Sequence, residues 1–201
     1  MNGRLTSMMK TLPSLFVLTC LVTGCTGLNV DRLSLTDPRL PVDARRWVAD
    51  AEDAVVISRA KRDEVKRLLK AVQGALEQTL AAPSFEGPQG STAKLKREQM
   101  ALSRLDAASA ALSLAEAELG LSKARLRLIY AETAMRQDIA VYNMPPLQAS
   151  VDKALNGVIA SRDAHRRARE AELKAADEWW SAWQAMAAKK GDTRPFWTQA
   201  D

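Results

Sequence analysis

The chain has 201 residues with 29 Lys and Arg against 24 Asp and Glu; this net charge of +5 is too slight and too interspersed for a nucleic-acid surface. Aromatics are 5 % of the residues, while Ala is abundant and Leu runs in narrow rows, so the expected core is the thin one of long packed helices. There are only two Cys, and both fall within the first 25 residues, which excludes a disulfide framework or a cysteine-built metal site in the body of the chain.

The chain opens with a basic start (Arg4, Lys10) and an apolar run from Leu12 to Val22. At about ten residues the run is too short to cross a ~30 Å hydrocarbon core as a helix, and its flanks are those of an export signal. It leads into Val22, Thr23, Gly24 and Cys25, an aliphatic residue, two small ones and a thiol, and this run resembles the lipobox of bacterial lipoproteins. The resemblance implies that residues 1–24 are a signal peptide, cleaved before Cys25. It also implies a diacylglyceryl thioether on the Cys25 sulfur and a palmitate-type acyl group on the new amino terminus. Three acyl chains, at ~0.8 kcal/mol per buried methylene, make a stable membrane anchor where one would be marginal. Enterobacterial lipoproteins with Asp after this Cys are kept at the inner membrane; Thr26 stands there, which favours a periplasm-facing place on the outer membrane over the inner one. Arg4 and Lys10 leave with the signal, so the 29 basic side chains fall to 27 and the net charge to +3.

Residues 25–42 hold Gly27, Pro38 and Pro41 and no sustained period, and read as an extended tether. A helix bundle is expected over 43–190. Asp43 is the expected N-cap of a first helix over 44–80, whose clearest stripe is Val65, Leu68, Leu69, Val72, Leu76 and Leu80. Pro83, Gly87, Pro88 and Gly90 break the chain, and Ser91 or Thr92 is placed to cap a second helix over 93–142. Asn143, Met144, Pro145 and Pro146 end it, a third helix follows over 147–189, and residues 191–201 form a tail.

The second helix carries two heptad seams. One reads Ala101, Leu105, Ala108, Leu112, Ala115, Leu119, Ser122, Leu126, Ile129, Thr133; the other reads Ala107, Ala110, Leu114, Ala117, Leu121, Ala124, Leu128, Ala131, Met135. At about 100° per residue, Leu112 and Leu114 stand roughly 200° apart, so this helix needs a partner on each side. The expected fold is therefore all-α, three long antiparallel coiled-coil-like helices with the second central. The stretch Ala111, Leu112, Ser113, Leu114, Ala115, Glu116, Ala117, Glu118, Leu119 resembles the helical hairpins of outer-membrane efflux factors and their periplasmic adaptors. The likeness is confined to the helix, since the chain has no period-two segments for a barrel or an adaptor's β domains.

Chemistry-bearing residues are few. His165 is the sole His and lies on the stripe Val151, Ala154, Val158, Ser161, His165, Ala168, the position of a packed or boundary histidine rather than a base. Glu116 with Glu118, and Glu132 with Asp138, read as solvated helix faces. No phosphate loop or nucleophile motif is present, so no catalytic residue, metal or cofactor is expected. The unusual feature is C-terminal: Trp179, Trp180, Trp183 and Met186, then Phe196 and Trp197. Trp179 and Trp183, four apart, suit a cap on the bundle core; Trp180, about 100° round, and Trp197 are the candidate partner-binding residues. These features point to a lipid-anchored periplasmic scaffolding or interaction protein without catalysis, whose partners are the membrane and an envelope protein or another copy of itself. The alternative is a holdase-like chaperone or carrier for apolar cargo.

Overall fold

The computed structural model describes residues 32–83 and 87–190. It contains α1 (Val42–Ala81), α2 (Gly87–Arg136) and α3 (Met144–Lys190), with no strand among the described residues. The helices have 40, 50 and 47 residues, or ~60, ~75 and ~70 Å at about 1.5 Å per residue. α1 and α3 each pack along α2 and barely touch one another, so α2 is the central helix, as its two seams require. Ser58 of α1 meets Ser122 of α2 at 2.8 Å and Lys61 meets Glu118 at 2.6 Å. On the other side Lys96 reaches Glu178 at 2.7 Å and Arg104 lies 3.9 Å from Glu172. In both sets one number rises as the other falls, so α2 is antiparallel to both neighbours.

Both seams are filled within the single chain. Ala101, Ala115, Leu119 and Thr133 are buried from the first, and Ala107, Leu121, Ala124 and Ala131 from the second. The alanines let backbones approach closely, and Leu119 and Leu121 each contribute roughly 1.5–3 kcal/mol of apolar burial on opposite sides of one helix.

The helix ends depart from expectation, and local hydrogen bonding explains where. Asp43 does not cap α1: Pro41 holds the N-cap position, no side chain caps the helix, and Asp43 sits inside the first turn. α2 starts at Gly87, whose φ of +78° glycine accepts freely, and Pro88 follows where no intrahelical N–H is needed. The Ser91 and Thr92 hydroxyls donate back to the carbonyls of Gly87 and Pro88 instead of capping. α2 stops at Arg136, short of Tyr142, in a Schellman turn: Asp138 takes φ 51°, its N–H donates to Met135 O, and Ile139 N–H donates to Ala134 O. Ile139 packs against the cluster that holds Ala134, the apolar contact that accompanies this turn. Pro145 and Pro146 fall in the first turn of α3 rather than ahead of it.

Two clusters of buried side chains mark the ends of the rod. At the base, Leu33, Val48, Tyr130 and Ala134 form one cluster. At the far end, Ala93, Trp179, Trp183, Met186 and Ala187 form the other. The stripe of α1 behaves accordingly: Val48, Ala51 and Val55 near the base are buried, whereas Leu68 and Leu80 are about half exposed.

The part of the expected tether that falls among the described residues is not extended. Residues 32–41 fold over the base as a strap, with Leu33 and Leu40 buried and turns closed by Asp37 N–H to Ser34 O and Leu40 N–H to Asp37 O. The Arg45 guanidinium donates to the carbonyls of Leu40 and Asp37 and ties the strap to the first turns of α1. The strap lacks a period because its leucines insert singly into the end of a bundle rather than along a face.

Candidate functional site

Cys25 and Trp197 lie outside the described residues. Trp180 does not stand free at the surface; it is half-buried and stacks on Trp183, with ring centroids 5.4 Å apart and planes 11° from parallel. Trp179 and Trp183 are buried between α2 and α3 against Ala93, so these rings close the far end of the rod. Lys96 and Glu178 flank them, and the ammonium beside Glu178 holds its carboxyl below the usual range.

At the base, Glu52 joins three elements. Its Oε1 accepts from the Tyr130 hydroxyl of α2 at 2.5 Å and from Arg32 Nε of the strap at 3.0 Å. The Tyr130 hydroxyl is the main cause lowering the Glu52 pKa, Arg32 adds to it, and partial burial opposes both. Burial, then the bond to Glu52, pushes the Tyr130 hydroxyl up to about 12. Beside this network the Arg136 guanidinium stacks on Trp47, 5.1 Å from the ring centroid. Sequence reading missed the network because Arg32, Glu52 and Tyr130 are far apart in the chain; the Leu33, Leu35 and Leu40 set was the one available signal that the segment is not a bare linker.

Between the two ends, α1 and α3 splay over α2 and leave a groove of about 270 Å³. Its floor is Ala108 of the first seam, Ala107 of the second and Ala111 between them, and its α1 wall is Val65, Leu68 and Val72. His165, the residue weighed as a base, lies half-buried on the α3 wall beside Arg169 and Glu172. Among the described residues no group of His, Cys, Asp or Glu is placed to hold a metal ion, and no helix is long and apolar enough to cross a membrane. Of the paired carboxylates, Glu118 serves packing by bonding Lys61 across the α1–α2 seam.

Comparison with protein-family models, curated proteins and solved structures found no match.

Proposed function

We propose that this chain is a lipid-anchored helical scaffolding or interaction protein of the bacterial envelope, without catalysis, held at the outer membrane through Cys25 and projecting into the periplasm. The docked strap supports this reading most directly. A free tether from the anchor to α1 would let a ~75 Å rod take any angle. With Leu33 seated in the base, seven residues lie between it and Cys25, a span of at most about 28 Å. The base is thereby kept near the membrane and the tryptophan end is carried outward, toward the cell wall or another envelope protein. The membrane anchor and one envelope partner, or a second copy, are the partners of this reading.

The test is acylation and fractionation. The parent chain should incorporate labelled palmitate and sediment with outer membranes, and Cys25→Ala should do neither. Labelled, membrane-bound Cys25→Ala would end the lipoprotein reading. A second reading, a carrier that shelters apolar cargo, is favoured by one observation: the groove over the alanine floor is apolar, open and flanked by Leu68, which is 55 % exposed.

A further inference from the structure

We infer that the groove between α1 and α3 takes an anionic amphiphile, a single acyl chain with a carboxylate-class head. This rests on the carrier reading and adds the chemistry of its cargo.

The apolar half of the site is the bed of Val65, Leu68 and Val72 over Ala107 and Ala111. Alanines at this level leave the room that leucines fill elsewhere along the seams, and Leu68 presents apolar surface without a packing partner over much of its area. The polar half is at one rim. Arg104 of α2 and Arg169 of α3 both turn to one carboxylate, Glu172. Glu172 is largely covered, with 14 % of its side chain exposed, while Arg104 and Arg169 are 62 % and 52 % exposed. Arg169 bonds Glu172 directly, and Arg104 is left at 3.9 Å, its sole ion pair among the described residues. Two guanidiniums sharing one carboxylate leave one positive charge over at the edge of an apolar bed. His165 beside them adds an imidazole at the same rim. A carboxylate head set between Arg104 and Arg169 would complete the pairing, and charge-assisted bonds of this kind are about twice as strong as neutral ones. A neutral chain would satisfy the bed and leave the rim charge unmatched.

The experiment uses the purified full chain with phosphatidylcholine vesicles and two photoactivatable probes, a diazirine-bearing dodecanoate and the matching dodecanol. Adducts are mapped by mass spectrometry. Dodecanoate should label peptides that contain Leu68 and Ala111, and Arg104→Gln with Arg169→Gln should lower that labelling about tenfold while the helical circular-dichroism signal at the labelling temperature stays the parent's. Dodecanol should label the same peptides about tenfold less than dodecanoate in the parent. Equal labelling by the two probes, or labelling unchanged in the double variant, would overturn the anionic preference and leave the carrier reading standing. No groove labelling by either probe would overturn both.

Discussion

The smallest unit that decides how this rod is held is the Glu52 carboxylate, because it bonds the strap through Arg32 and the central helix through Tyr130. Tyr130→Phe keeps the ring in the base cluster and removes one bond to a charged acceptor, so a loss of about 1.5 kcal/mol is expected. The pH dependence follows from the two shifts. Glu52 titrates below its ordinary value of 4.5, so its contribution is in place above that pH and is lost as the pH falls through the lower folded value. Tyr130 titrates above its ordinary 10.0, so its contribution is in place below that pH and is lost as the pH climbs toward about 12. Denaturant melts across both ranges should show both slopes in the parent and a flatter profile in Tyr130→Phe; parallel profiles would show that the hydroxyl bond carries no linkage. Thr133 makes the opposite case. It is 2 % exposed and its Oγ1 has no hydrogen-bond partner among the described residues. Its hydroxyl stands where the first seam calls for an apolar residue. The structure keeps the position buried all the same, beside Pro41, Ala44 and Trp47 at the start of α1. Thr133→Val retains the shape and removes an unpaired hydroxyl, and should raise stability by about 1 kcal/mol in the same melts; a loss of that size would mean the hydroxyl has a partner.

At the scale of the element, the two seams of α2 were legible because their steps of four and three never slip over some thirty residues. A helix with apolar rows on nearly opposite sides has only one economical place, between two others. The ends of the helices were not legible to the same degree. Gly87, Pro88 and Gly90 read as a break, yet Gly87 at positive φ and Pro88 behind it start α2, because a first turn needs neither Cβ nor N–H from them. Asp138 gave no sign that it would adopt a left-handed conformation and stop α2 early. The strap was least legible, since a short segment docked by single leucines has no repeat to detect. Leu112 and Leu114 test whether both seams bear load. Each is half-buried, on opposite sides of α2, so Leu112→Asp and Leu114→Asp should each lower stability by about 2–3 kcal/mol. A parent-like melt for either variant would mean that its seam is not packed within the chain.

At the scale of the molecule, the two end clusters give the rod a base and a tip, and the strap gives the base a direction. Leu33 and Tyr130 lie at one end, and Trp179 and Trp183 at the other. The tip belongs to α2 and α3, which at 50 and 47 residues are longer than the 40 residues of α1. Closing it took aromatic rings over Ala93 rather than a third helix. Trp180, a candidate partner-binding residue in the sequence, is drawn into that closure by its stack on Trp183, and Trp197 lies outside the described residues. Among the described residues the tip is therefore a packed cap bordered by Lys96 and Glu178. The orientation of base and tip relative to the membrane is the point on which the proposed function turns. It is measured by energy transfer from a donor dye to acceptor lipids at the surface of vesicles that carry the acylated chain. The dye is placed at exposed Asp50→Cys near the base or at exposed Gln184→Cys near the tip, positions roughly 60 Å apart along the rod at about 1.5 Å per residue. Strong transfer from position 50 and almost none from position 184 is the predicted result; equal transfer from both, or stronger transfer from position 184, would contradict a rod that stands on its strapped base.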